Sequence, residues 1–183
     1  VDIYSIFKFL HVICAIAWVG GGLTLIAANI FLTRAKGDNE LFATLNIMNA
    51  LGKTWFVPAS MLTLVFGAIV TTLGGMWLQL WVLLGLAGFA STFCTGLFVI
   101  EPTGRQIAAS LEQGRTDEAL TMAKRLMQIS KFDYTVILVV VADMVLKPNW
   151  LDIPTLIVFA AAIGAGAYFF LYGGKLPTRP QAA

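Results

Sequence analysis

His11 is the only histidine in the chain, and it falls inside a long apolar stretch. An ionisable group in such a stretch is a candidate site by default, because hydrocarbon does not solvate charge. At a rise of about 1.5 Å per residue it lies about 12 Å from the start of that stretch. Cys14, Trp18, Gly22 and Asn29 all fall within about one-sixth of a turn of His11, which makes one semi-polar stripe on an otherwise apolar helix. Trp18 lies near the middle of that helix rather than at a membrane interface, so the stripe should face protein or a bound group. Ligation is the chemistry these residues offer. One imidazole, with Cys14 a turn away and Met144 across the bundle, is a set soft enough to hold copper. An imidazole is equally an axial haem ligand. A single histidine supplies one axial position, so bis-histidine ligation requires a second copy or a partner chain. An ordinary account stands beside these: a buried histidine satisfied by a backbone carbonyl or by a carboxylate.

Asp143 is the second group that needs a partner. It precedes Lys147 by four residues, a spacing that pairs charges on one helix. It should also lie at nearly the same depth as Lys8 and His11. Lys8, His11 and Asp143 are therefore expected to form one polar cluster, with the carboxylate orienting the imidazole as partners of metal-bound histidines do. Glu101 precedes Pro102 at a helix end, where water is within reach. Cys14 and Cys94 both sit in apolar stretches at different depths, so a disulfide-stapled module is excluded. No CxxCH, HExxH, calcium loop, phosphate loop or nucleophile–histidine–carboxylate pattern occurs, and the sequence leans away from an enzyme without deciding the point.

The elements that must hold these residues follow from composition. Of 183 residues, 58% are hydrophobic and only 12% charged, with a mean hydropathy of +0.83. Soluble domains carry roughly 25% charged residues, so this chain cannot cover a water-facing surface. A net charge of +2 without a basic run excludes a nucleic-acid partner. About 20 apolar residues cross a bilayer, and five stretches meet or approach that: residues 3–33, 55–73, 77–100, 132–146 and 153–172. The first is too long, and its basic residues too late, for a signal peptide. No internal repeat is evident. Arg34, Lys36 and Lys53, then Arg105, Arg115, Lys124, Arg125 and Lys131, then Lys175 and Arg179, fall on one side, leaving Lys8 and Lys147 on the other. The positive-inside rule then places the N-terminus outside and the C-terminus in the cytoplasm. Between spans, residues 38–52 and 102–131 read as amphipathic cytoplasmic helices lying on or near the membrane, the first through Leu41, Leu45 and Met48, the second through Leu120, Ala123, Leu126 and Met127. The short fourth span becomes long enough if the second of these runs into it. Stripes of small residues, Gly85, Gly88, Thr92 and Gly96 in one span and Ala160, Ala161, Gly164 and Ala165 in another, suit close packing inside the bundle or against another subunit.

Phe9-Leu10-His11-Val12, then Ala17-Trp18-Val19-Gly20-Gly21 closed by Arg34, with Phe56-Val57-Pro58 opening the second span and Val145-Leu146-Lys147-Pro148 ending the fourth, resembles a bacterial family of predicted integral membrane proteins without assigned function. The resemblance runs from about Ile6 to Pro148. The first helix is also distantly similar to the copper-resistance D family and the HemJ-type protoporphyrinogen oxidase family. In the HemJ type a first-helix histidine is implicated in haem binding, and His11 is the position that resemblance implies.

The expectation is a single all-α membrane domain: a polytopic bundle of five transmembrane helices in a bacterial cytoplasmic membrane. The leading function is a non-catalytic subunit that packs against, assembles or stabilises a larger complex, respiratory or photosynthetic, or a homo-oligomer, in contact with lipid. The alternative is a haem- or copper-linked protein with His11 as ligand.

Overall fold

The computed structural model describes residues 2–32 and 38–173. Arg34, Lys36, Lys175 and Arg179, which enter the orientation argument, lie outside them. Among the described residues every regular element is helical: α1 (Ile3–Leu32), α2 (Asp38–Leu51), α3 (Val57–Leu73), α4 (Leu80–Thr95), α5 (Glu101–Glu112), α6 (Thr116–Leu146) and α7 (Ile153–Ala167). Three π turns complete them, at Gly52–Phe56, Gly96–Ile100 and Tyr168–Tyr172. Four helical runs are long and apolar enough to cross a membrane: Ile3–Phe31, Phe42–Leu73, Leu80–Glu112 and Ile153–Tyr172. In α6 the charges at Asp133 and Asp143 interrupt the apolar pattern, yet its second half is the centre of the bundle, touching α1, α4 and α7.

The helices run through two boundaries at which the sequence suggests a break. The first π turn joins α2 to α3, and the second joins α4 to α5 across Glu101-Pro102. A proline lacks an N–H and its ring crowds the carbonyl four residues back. Each π turn lets the residue before the proline bond one residue further: the Val57 N–H donates to the Gly52 carbonyl, and the Glu101 N–H to the Gly96 carbonyl. The helix therefore continues where proline alone would stop it. α6 is likewise unbroken for 31 residues. It ends at Lys147, whose N–H makes the last bond of the helix, to the Asp143 carbonyl at 2.8 Å, and whose left-handed φ of 48° turns the chain away, while Pro148 prevents resumption.

These continuous helices are longer than a membrane is thick. Thirty-three residues from Leu80 to Glu112 and 31 in α6 span about 50 and 46 Å, against roughly 30 Å of hydrocarbon. Their surplus gathers at one end into a platform. There Ile107 and Leu111 of α5 pack on Ala119, Ala123 and Leu126 of α6, and Phe42, Leu45 and Met48 of α2 close the cluster. The amphipathic stripes of residues 38–52 and 102–131 thus cover one another, which buries more apolar area than lying singly on a flat surface would.

In the bundle proper, α1 lies antiparallel along α3, with Phe7 beside Phe66 at 6.1 Å and Trp18 against Ala59. α6 contacts α1 and α4, while α3 and α4 hardly touch despite the short Gly74–Gln79 turn between them. The order α3–α1–α6–α4 is therefore an open arc, plugged at mid-height by Trp18 against Phe89 at 5.5 Å. α7 rests on the outside of α6.

Candidate functional site

The stripe on α1 does face protein. Trp18 is 4% exposed, enclosed by Ala59, Ile137 and Phe89, and Asn29 is 2% exposed. His11, two turns from Trp18 on the same face, leans on α3. Its Nδ1 lies 2.8 Å from the Thr63 carbonyl oxygen. A carbonyl only accepts, so Nδ1 carries the proton and donates. Gly67 makes the contact possible, since a Cβ there would stand 3.0 Å from both Cε1 and Nδ1 of the ring. Nε2 has no hydrogen-bond partner among the described residues.

Asp143 is 2% exposed, and among the described residues neither carboxylate oxygen has a hydrogen-bond partner. It lies against α4, with Oδ2 3.6 Å from where a Cβ on Gly85 would be. Lys147 places its ammonium 5.0 Å from the Trp81 ring centre, a cation–π contact in place of a pair with Asp143. Lys8 is exposed. Among the described residues no hydrogen bond or ion pair joins Lys8, His11 and Asp143 to one another. Register nevertheless puts His11 and Asp143 at one depth. With Trp18 packed on Ile137, the seven residues back to His11 and the six on to Asp143 rise about 10 and 9 Å toward the same end. Both enter the arc from its back helices, His11 leaning to the α3 flank and Asp143 to the α4 flank. Met144 also covers Gly85, Cys14 is half-buried, and among the described residues no three His, Cys, Asp or Glu side chains converge on a metal-sized site.

A family model described as "Predicted integral membrane protein (DUF2269)" matches residues 5–167. The chain belongs to that family. No curated protein and no solved structure matches it.

Other features of this DUF2269 member lie beyond the reach of sequence reasoning. The cradle of Thr63 and Gly67 is one: a backbone carbonyl has no sequence signature. Asp133, 7% exposed in α6, is a second buried carboxylate. Two aromatic side chains also tie neighbouring helices to carbonyls of α1, Trp55 through Nε1 to Ala17 at 3.1 Å and Tyr134 through its hydroxyl to Val19 at 3.2 Å. The glycine run of α1 admits both rings, since a Cβ on Gly21 would meet Trp55 at 3.0 Å and one on Gly22 would meet Tyr134 at 3.1 Å. Beside Trp55 a lateral groove of about 410 Å³ opens between α1 and the first π turn, lined by Ile16, Gly20, Thr24, Leu51 and Trp55 among others. The legible signal behind this turn is a spacing: Gly52 and Pro58 stand six apart, as do Gly96 and Pro102.

Proposed function

We propose that this family member is a five-span, non-catalytic subunit of a larger assembly in a bacterial cytoplasmic membrane, with its N-terminus outside, its platform in the cytoplasm and α6 as the fourth span. The observation that carries the reading is the position of α7. This helix turns Phe159 and Gly166 inward, the latter onto Thr135 of α6, and packs chiefly on that one helix. Ala160, Ala161, Gly164 and Ala165 remain exposed, and a Cβ on Gly164 would meet nothing. Small residues at spacing four that the fold itself leaves open suit the close approach of another helix. By contrast Gly85 and Gly88 are consumed by Met144 and Val140 inside the bundle. Gentle detergent extraction followed by native separation tests the reading. A stoichiometric partner or second copy is expected, and it should be lost in Gly164→Leu. A protein that runs alone overturns it.

One observation favours a second reading, a haem- or copper-linked protein. An imidazole that donates Nδ1–H to a backbone carbonyl and has no partner at Nε2 among the described residues is arranged as metal-bound histidines are. Such a group would supply redox chemistry, with His11 Nε2 as its one ligand from this helix. The absorption spectrum and metal content of the purified protein, compared with His11→Ala, separate the two readings.

A further inference from the structure

We propose that the two Gly-x5-Pro π turns form a paired hinge on which α2 and α5 pivot against the membrane bundle, with Trp55 as the latch on α1. This goes beyond the subunit reading and does not rest on it. The first observation concerns the glycines. A Cβ on Gly52 or on Gly96 would meet nothing within 4 Å, so packing does not call for glycine at either position. What glycine supplies there is backbone freedom, at the start of a turn whose bonds are already widened. The second concerns the prolines. Pro58 and Pro102 donate no N–H, so each junction is held by fewer ladder bonds than the helix on either side, and kinks concentrate at such places. π turns of this kind recur at functional sites.

Position is the third observation. Both turns fall between two separate apolar clusters, the platform around Ile107, Ala123 and Leu126 and the bundle core around Trp18, Ala59 and Ile137. α6 and α1 cross that junction as regular α-helices, α6 carrying part of the platform and α1 packing along α2. Two softened helices beside two stiff ones have a defined motion: α5 tilts against α6 and α2 tilts along α1. The fourth observation is the latch. Trp55 lies within the first π turn, half exposed, with its ring on Gly21 and its Nε1 donating to the Ala17 carbonyl. The groove beside it gives the ring room to move. Tilting of α2 must carry Leu51 and Trp55 across the glycine run of α1 and change the width of that groove.

Spin-label distance distributions in the full chain test this. In a background with Cys14 and Cys94 replaced by alanine, one label pair sits at Ile47→Cys and Val65→Cys, on the exposed faces of α2 and α3 across the hinge. The control pair sits at Arg125→Cys and Val145→Cys, both exposed on the unbroken α6. The two pairs are separated by about 27 and 30 Å along helix. The hinge pair should give a clearly wider distribution than the control, because motion at the turn spreads the distance whereas a fixed kink only shifts it. Gly52→Ala with Pro58→Ala should narrow it to the control width, and Trp55→Phe should widen it. A hinge pair as narrow as the α6 control overturns the proposal, and that comparison needs no hinge substitution. A width that the double variant leaves unchanged overturns it as well.

Discussion

His11 and Gly67 act as one unit, which makes them separable from the rest of the bundle by mutation. Gly67→Ala puts a methyl 3.0 Å from the imidazole, and overpacking of this kind costs about 1–3 kcal/mol. It should also break the bond to Thr63. His11→Ala removes the same bond and the ring that the methyl would strike. The double variant should therefore be more stable than the sum of the single losses implies, by about 0.5–3 kcal/mol in a thermal-denaturation cycle. Additive losses would show that ring and glycine are not in contact. Asp143 answers to different reasoning. Leaving a charge unpaired in hydrocarbon costs about 2.5–3.5 kcal/mol even on the lenient insertion scale. Asp143→Leu should accordingly keep or raise thermal stability, and any function it abolishes then belongs to the carboxylate itself. A large loss of stability would mean the carboxylate is paired after all. At the start of α1 the Ser5 hydroxyl and backbone N–H hold the Asp2 carboxyl below its usual range. A depressed folded value stabilises the first turn at pH above the ordinary carboxylate range and ceases to do so as pH falls through the depressed one. The protection factor of the Ser5 amide, its exchange rate relative to the intrinsic rate at each pH, should fall over that acid interval and stay flat over it in Asp2→Asn. The His11–Trp18–Asn29 stripe was legible from helical spacing. Its acceptor was not, because every residue carries a carbonyl, and Gly67 is one of 17 glycines with nothing local to mark it.

Small residues that look alike in sequence divide sharply once helices are placed. A valine at Gly88 would be driven into Val140 of α6, whereas a valine at Gly164 meets open space on α7. In the chain separated from any partner, Gly88→Val should lower the melting temperature by an amount corresponding to about 1–3 kcal/mol, and Gly164→Val should leave it within the noise. Equal losses at both would mean that α7 packs more closely than its exposed face implies. Periodicity shows that both stripes exist but cannot say which neighbour each one faces. The same limit explains the misplaced boundaries. Glu101-Pro102 carries the usual marks of a helix end, a charge and a proline, and local rules read it as one. The information that overrides them is the glycine six residues before the proline, which pairs with it across a turn and a half of helix. Helical spacing in residues 38–52 and 102–131 makes apolar stripes visible in the sequence, and several of their residues meet in the platform. That they cover each other is a tertiary choice, set by three helices longer than the bilayer is thick.

The molecule as a whole has two ends of different character. Lys53, Arg105, Arg115, Lys124, Arg125 and Lys131 gather at the platform end, and Lys8 and Lys147 lie toward the other. That asymmetry was legible directly, because orientation depends on where charges fall between spans and needs no knowledge of packing. What composition obscured is α6. Its apolar length is cut short by Asp133 and Asp143, both buried within the bundle, so the helix at the centre of the fold is the least lipid-like of the candidate spans. A helix that contacts α1, α4 and α7 over its second half is held by protein rather than by lipid, and buried carboxylates are tolerable there for that reason. Whether it crosses the membrane decides the sidedness of everything after it. In the proposed orientation and with α6 as a span, the Gly74–Gln79 turn and the loop at Leu151 should face the outside together, and Arg125 the cytoplasm. Single cysteines at Leu78 and Leu151, which are 87% and 88% exposed, should then react with a membrane-impermeant maleimide on intact spheroplasts. A cysteine at Arg125 should react only after permeabilisation. Labelling at Leu78 without labelling at Leu151 would mean that α6 enters the bundle and does not cross. The reverse sidedness at all three positions would mean that the platform, with its basic residues, stands outside.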